Sequence, residues 1–155
     1  MDFDAPRPVR RRLLKSLLAA GGFAWGLLPA LVRAATGRDG FDAKALDPGL
    51  AAIGAQHARE TGDIVLKAPD IAENSALVHV EIQSKLPDTT TIWLFAEKNP
   101  QPLVARFDLL PGLEPIVAVR IKMNESAFLR VVVQAGGQLY FTRRETKVTL
   151  GGCAG

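Results

Sequence analysis

The chain has 155 residues, a length that allows one domain with a single hydrophobic core. Hydrophobic residues make up 48% of it and charged residues 23%, which excludes a globally disordered protein. The formal charge of +3 comes from the first 34 residues, because these carry six basic and two acidic side chains and leave the rest with a net charge of −1. A domain that binds nucleic acid needs basic side chains in its folded part, so this charge distribution excludes that class.

The first 34 residues have the layout of a secretory signal peptide. A polar, basic stretch comes first, residues 16–32 carry no charge, and small residues follow, so cleavage is expected after Ala34 or one residue later. Arg10 and Arg11 begin a run that resembles the twin-arginine export motif. The alternative is an uncleaved membrane anchor, but this uncharged stretch is short for a bilayer span and is interrupted by glycine and proline. The sequence therefore predicts a protein that folds first and is then exported to a bacterial periplasm.

Residues 41–54 show a weak helical pattern near the start of the predicted mature chain. Asp47 followed by Pro48 suits a helix N-cap with proline at the first helical position. Leu50 and Ile53 are placed to face a core. We therefore expect one short helix before the remaining elements.

The rest of the chain has the pattern of strands. Val78, Val80 and Ile82 alternate with polar residues, which is typical of a strand with one buried face. Gly136 and Gly137 form a two-residue hairpin signal. The predicted strands cover residues 64–66, 76–84, 90–98, 102–109, 116–123, 127–134, 139–141 and 145–150. Their number and regular spacing predict an all-β fold, an immunoglobulin-like antiparallel β-sandwich, as one domain over residues 35–150.

The predicted strand over residues 90–98 is apolar on both faces, because Ile92 and Leu94 alternate with Trp93 and Phe95. Such a strand is either central in the sandwich or covered by a partner. Trp93 and Phe95 are therefore our candidates for an interface.

Four other features are weaker functional candidates. Glu73 and Asn74 are better explained as a turn before a strand than as a partner contact. The Arg143-Arg144 pair is interpreted as the solvated end of a strand. His57 and His79 would need to converge with other groups to form a metal site or a catalytic dyad. The sequence gives no sign of that, so we expect no catalytic residue, no metal and no cofactor.

The C-terminal residues 151–155 carry the only cysteine, Cys153, which is flanked by Gly151, Gly152 and Gly155. An odd cysteine in an oxidising compartment indicates either intermolecular pairing or a free reactive thiol. Glycine leaves both signs of φ open, so we expect a flexible arm, and five residues extend about 17 Å. No His, Lys or Arg adjoins Cys153 in sequence, so we expect other proteins to activate its thiol.

Three segments make the sequence similar to a known family, the Y subunit of the sulfur-oxidation carrier (SoxY, of the SoxYZ complex). They are residues 64–74 with the sequence IVLKAPDIAEN, residues 98–100 with KNP, and residues 147–153 with KVTLGGC. The resemblance implies that Cys153 forms a covalent adduct with thiosulfate or another sulfur species, with Gly151, Gly152 and Gly155 as its flexible flanks.

The resemblance also implies partners. These are a SoxZ-like subunit in a heterodimer, and periplasmic enzymes that load, oxidise and release the sulfur group. The charge distribution excludes nucleic acid as a partner, and cleavage of the predicted signal peptide would leave no stable membrane association.

The sequence departs from the family pattern at three positions. Ala154 replaces a glycine beside the cysteine, and Ser75 and His79 stand where glycine and proline are expected. The thiol is kept, so the carrier role is still expected, either in the standard subunit or in a paralogue that serves another sulfur pathway.

Two other functions stay open. One is a β-sandwich interaction module whose tail cysteine forms an intermolecular disulfide. The other is a thiol transferase that uses Cys153 as its nucleophile, which the absence of a local base disfavours.

Overall fold

The computed structural model describes residues 38–149. The predicted signal peptide with its Arg10-Arg11 motif, and the predicted arm with Cys153, lie outside the described residues. Within the described part, no helix is long and apolar enough to cross a membrane.

The described chain contains one short helix, a 3-10 turn at Ala55–His57 and nine strands. The elements in chain order are α1 (Leu46–Ala52), β1 (Arg59–Glu60), β2 (Ile64–Lys67), β3 (Ile71–Ala72), β4 (Val78–Ser84), β5 (Thr89–Ala96), β6 (Leu103–Asp108), β7 (Ile116–Ile121), β8 (Ala127–Ala135) and β9 (Gln138–Val148).

The strands form two sheets, which confirms the predicted all-β sandwich. The larger sheet has the order β1-β9-β8-β5-β6, with β3 also paired to β9, and the smaller one has the order β2-β4-β7. Two predictions were wrong. The segments 139–141 and 145–150 are not separate strands, because β9 runs unbroken through the polar residues between them. The pairing is not wholly antiparallel either, because β1 and β3 were missed and both lie parallel to β9.

The main core lies between the two sheets. The predicted alternation in β4 is confirmed, since Val78, Val80 and Ile82 are buried and the residues between them are exposed or half-buried. β5 and β8 supply the facing layer. The fully buried side chains of these two strands on this face are Ile92, Leu94, Ala96, Leu129, Val131 and Val133.

A second core covers the outer face of the larger sheet and corrects the interface prediction. Trp93 and Phe95 are 5% and 0% exposed, and they pack with Leu50 of α1 and with Val132 of β8. The chain therefore covers this face itself, as expected for a central strand of the sheet. Gly49 permits the close approach of α1, because a Cβ there would lie 3.2 Å from a ring carbon of Phe95.

The helix begins earlier than predicted. Ala45 is the N-cap residue and makes no side-chain capping bond, so Asp47 lies inside the first turn and is not the cap. Pro48 is the third helical residue, where its missing N–H costs nothing because the first turn has no partner for that donor. Leu50 is buried and Ile53 packs against the second core, as expected.

The predicted hairpin joins β8 to β9. Gly136 and Gly137 both have positive φ values, 55° and 74°, which a two-residue hairpin turn of type I′ requires and which glycine adopts without strain. Ala135 and Gln138 pair directly across the turn. β9 therefore starts at this turn and leads away towards the C-terminal segment.

Candidate functional site at the end of the C-terminal strand

The C-terminal strand is held on one edge by β3. Lys147 N–H donates to the carbonyl of Asp70 at 2.9 Å, and Thr149 N–H donates to the carbonyl of Ala72 at 3.1 Å. Asp70, Ile71 and Ala72 belong to the APDIAEN segment noted in the sequence. That segment therefore fixes the strand that precedes the cysteine, a role which the sequence alone did not reveal.

Ser126 holds the same strand on its opposite edge. Its hydroxyl oxygen accepts a hydrogen bond from Val148 N–H at 2.9 Å and donates to the Val148 carbonyl at 3.4 Å. Thr149 also donates its hydroxyl to the Ala72 carbonyl at 3.5 Å. The backbone is thus anchored on both sides at Val148 and on the β3 side as far as Thr149.

This anchor limits where the thiol can work. Cys153 is the fourth residue after Thr149, and four fully extended residues span at most about 14 Å. A protein that accepts the thiol must therefore approach the end of β9 within that distance. Cys153, Gly151, Gly152, Gly155 and Ala154 themselves lie outside the described residues.

Two arginines near the anchored end of β9 lie at a different place in the strand from the one predicted. Arg143 and Arg144 do not mark the end of a strand, because they lie in the middle of β9. Arg144 forms an ion pair with Asp70 at 2.7 Å, and the Arg143 guanidinium lies 4.9 Å from the ring centre of Phe128. Both arginines are exposed, but each is engaged with a neighbour that steadies the strand.

The Glu73-Asn74 segment forms the turn that the sequence predicts. The Asn74 side-chain oxygen accepts a hydrogen bond from Ala76 N–H at 2.9 Å, and its carbonyl accepts one from Leu77 N–H at 3.2 Å. Asn74 thereby satisfies the backbone between β3 and β4.

The two histidines lie on different elements. His57 is exposed in the 3-10 turn, and His79 is exposed on β4, opposite Arg120 of β7. Within residues 38–149 no three His, Cys, Asp or Glu side chains are grouped as metal ligands would be. Near His79, the pKa of Glu81 is lowered, chiefly by a hydrogen bond from Lys67.

The similarity of this chain to known proteins includes the segment with Cys153. The family model described as "Sulfur oxidation protein SoxY" matches residues 50–153. Among solved structures, the sulfur carrier protein SoxY from Chlorobium limicola f thiosulfatophilum is 44% identical, with a TM-score of 0.61 over 67% of this chain and 96% of that one. Curated proteins gave no match.

A second solved structure is similar in fold alone. It is a variant of superoxide reductase (neelaredoxin) from Ignicoccus hospitalis, 22% identical, with a TM-score of 0.50 over 64% of this chain and 87% of that one. The family match and the 44% identical structure, by contrast, agree with the sequence motifs at residues 64–74 and 147–153. The chain therefore belongs to the SoxY family, a family of sulfur oxidation proteins in which the matched structure is a sulfur carrier.

Proposed function

We propose that the protein is a periplasmic carrier that holds thiosulfate-derived intermediates covalently on Cys153 and presents them to sulfur-oxidising enzymes. The observation that carries this proposal is that the family match ends on the only cysteine of the chain. The anchored end of β9 supports it, because a fixed base and a short reach suit a thiol that is presented to other proteins.

Loading the thiol is an oxidation. Joining the Cys153 sulfur to the outer sulfur of thiosulfate releases one proton and two electrons, and it leaves a disulfide bond that ends in a sulfonate group. The electrons must pass to an oxidising partner enzyme. Hydrolysis of the terminal sulfur then releases sulfate and leaves a persulfide on the cysteine. The partner enzymes supply the activating groups, because no basic residue adjoins Cys153 in sequence.

The proposed assembly is a heterodimer with a SoxZ-like subunit, exported by the twin-arginine route. Its supports are the twin arginines Arg10 and Arg11 and the family membership of the chain. Under this proposal residues 1–34 are removed, residues 35–150 form the carrier domain and residues 151–155 form its arm.

Intact mass spectrometry of the protein from the periplasm of cells grown on thiosulfate tests the carrier proposal. We expect an adduct with the mass of a thiosulfate-derived group, lost on reduction, and absent from the Cys153→Ser variant. A thiol that stays free under these conditions contradicts the proposal. A disulfide to another protein chain, with no sulfur adduct, supports the alternative interaction module.

A further inference from the structure

One of the three segments that carry the family resemblance, KNP at residues 98–100, lies in the connection between β5 and β6. The Asn99 side chain reaches from there to the connection between β7 and β8. Its amide nitrogen donates to the Lys122 carbonyl at 2.8 Å, and its oxygen accepts from Asn124 N–H at 2.9 Å. One side chain therefore supplies both a donor and an acceptor to the backbone of a distant loop.

That loop, residues 122–126, is called here the β7–β8 loop, and it is held at a further point. Met123 N–H donates to the carbonyl of Ser75 at 2.8 Å, and the Met123 side chain is 0% exposed. The backbone is therefore held at three consecutive residues shortly before Ser126. Because the loop is fixed in this way, the position of the Ser126 hydroxyl is fixed as well.

Ser126 lies where the pairing between β8 and β9 stops. The last pair is Ala127 with Thr146, and a continuation in the same register would put Glu125 opposite Val148. The Ser126 hydroxyl takes the place of that missing backbone, since it accepts from Val148 N–H at 2.9 Å and donates to the Val148 carbonyl at 3.4 Å. The β8 side of Val148 is therefore held by a side chain whose position depends on the β7–β8 loop.

We infer that Asn99 is a positioning residue for the carrier thiol, acting through the β7–β8 loop and Ser126. What it fixes is the point at which the chain leaves the domain. The role of the thiol in this inference rests on the proposed function, whereas the contacts of Asn99 and Ser126 do not.

The exit point sets the reach of the thiol. With Thr149 held, the four residues to Cys153 span at most about 14 Å. Without the Ser126 contact, the end of β9 is held by β3 alone. When that contact opens as well, the exit point moves back to Lys147, and the six residues to Cys153 span about 20 Å.

A fixed exit point also lowers the cost of delivering the thiol to another protein. A partner enzyme that binds the domain must capture the thiol too, and each residue still free to move at that moment loses conformational entropy. Residues that the domain already holds do not add to that cost. Loss of the Asn99 contacts should therefore weaken productive binding to the enzyme and leave the chemistry of the thiol unchanged.

Amide hydrogen exchange measured by NMR tests the positioning on the protein alone. In Ser126→Ala, Val148 N–H loses its acceptor and should exchange at least about tenfold faster. Asn99→Ala should speed the same exchange at least about threefold, because Ser126 then loses its fixed position. Lys147 N–H donates to Asp70 on the other edge of β9, so its exchange should stay unchanged in both variants.

The double variant of Asn99→Ala and Ser126→Ala separates a path through Ser126 from a general loss of stability. If Asn99 acts through Ser126, Val148 N–H exchanges no faster in the double variant than in Ser126→Ala alone. The control is Gln101→Ala, because Gln101 is exposed in the same connection and its side chain makes no hydrogen bond to the described residues.

A milder variant guards against a chain that does not fold. Asn99→Asp keeps the acceptor for Asn124 N–H but loses the donor to the Lys122 carbonyl. It should therefore speed the exchange of Val148 N–H less than Asn99→Ala does. Circular dichroism checks that every variant folds.

A loading measurement tests the consequence for function. Each chain, purified in the form that cells accumulate, is mixed with thiosulfate and a periplasmic extract of cells that lack this chain, and intact mass spectrometry follows the adduct on Cys153. Asn99→Ala and Ser126→Ala should need at least about threefold more carrier for a half-maximal rate, with the maximal rate unchanged. Ser126→Thr keeps the hydroxyl and should restore the original value.

Alkylation by iodoacetamide serves as the control for the thiol itself. This reagent is small and needs no fixed exit point, so Cys153 should react at the same rate in all variants.

Four results would overturn the inference. They are unchanged exchange of Val148 N–H in Asn99→Ala, an equal rise at Lys147, additive effects in the double variant, and half-maximal loading at the same concentration as for Gln101→Ala. An unaltered chain that is never loaded contradicts the carrier proposal instead, and hydrogen exchange then decides the positioning role by itself.

Discussion

At the scale of single residues, Arg130 and Glu97 form an ion pair that is mostly hidden from solvent. The side chains are 16% and 17% exposed and the contact is 2.7 Å long. The Arg130 guanidinium also lies 4.7 Å from the ring centre of Phe141, so it is enclosed between a carboxylate and an aromatic ring. If the carboxylate were lost, little water could reach the Arg130 guanidinium to take its place.

We therefore expect Glu97→Gln to lower the free energy of unfolding by about 1–3 kcal/mol. Glu125→Gln is the matched control, because Glu125 contacts Lys98 at 3.8 Å and both side chains are more than half exposed. An exposed pair contributes at most about 1 kcal/mol. Urea unfolding of both variants measures the difference, and equal losses would show that the shielding of Arg130 does not matter.

Thr146, unlike Arg130, has a buried polar group that makes no hydrogen bond to the described residues. Its side chain is 0% exposed, and its oxygen has no hydrogen-bond partner among the described residues. Burying such a group costs free energy, whereas valine has the same shape without the hydroxyl. We expect Thr146→Val to leave stability unchanged or to raise it by up to about 1 kcal/mol in urea unfolding. A clear loss of stability would mean that the hydroxyl has a partner.

At the scale of elements, the sequence predicts a strand best where one face of that strand is buried and the other is not. β4 alternates cleanly, and the hairpin glycines mark the start of β9, so both were predictable. β1 and β3 have two residues each, which is too short for any period to show. The polar residues of β9 near Arg143 made it look like two strands in the sequence. They are polar because they lie beyond the part of the sheet that α1 covers. Only the fold shows that α1 covers Trp93.

The role of α1 as a cover leads to a stability prediction. Leu50 is 8% exposed and packs in the second core with Trp93 and Phe95. Truncating a buried leucine removes apolar contacts and leaves a cavity, so we expect Leu50→Ala to cost about 2–4 kcal/mol. The control is Ala51→Ser on the exposed side of the same helix, with an expected cost of about 0.5 kcal/mol. Chemical denaturation compares them, and a small effect of Leu50→Ala would contradict the covering role.

The pairing of β2 with β4 predicts a dependence on pH. Lys67 donates a hydrogen bond of 2.6 Å to Glu81. This hydrogen bond, and after it the positive charge of the lysine, lowers the pKa of the Glu81 carboxyl. The ionised form is therefore favoured in the folded state. The resulting stability is present above the unfolded-state pKa and is lost as the pH falls through the lower folded-state pKa.

We expect Glu81→Gln to lose less stability than the unaltered chain when the pH is lowered from about 5 to 3. Lys67→Gln should flatten the profile in the same way, and the double variant should flatten it no further, because both changes remove one interaction. Thermal unfolding across this pH range checks the prediction. A profile that steepens in Glu81→Gln would contradict it.

At the scale of the whole molecule, the sequence and the structure contribute different parts of the site. The cysteine motif and the APDIAEN segment were visible in the sequence, and the family match joins them. Their physical relation was not visible, because Asp70 and Ala72 reach the end of β9 through parallel pairing between strands far apart in the chain. The role of Ser126 could not be predicted either, since an isolated serine before a strand carries no pattern of its own.

The distribution of charge along the chain allows a prediction about export. The whole chain has a sequence isoelectric point of about 9.3, whereas the part after residue 34 carries thirteen basic and fourteen acidic side chains. Removal of the predicted signal peptide should therefore shift the protein from a basic to an acidic or neutral isoelectric point. Replacing both Arg10 and Arg11 with lysine keeps the charge but alters the twin-arginine motif, so the basic precursor should accumulate inside the cell.

Isoelectric focusing of periplasmic and cytoplasmic fractions separates the two forms. The control is Arg7→Lys, which lies outside the motif and should leave export unchanged. An acidic or neutral periplasmic band that persists in the double variant would show that another export route is used. A basic band in the membrane fraction would instead support the uncleaved anchor, because only a retained N-terminal segment explains that charge.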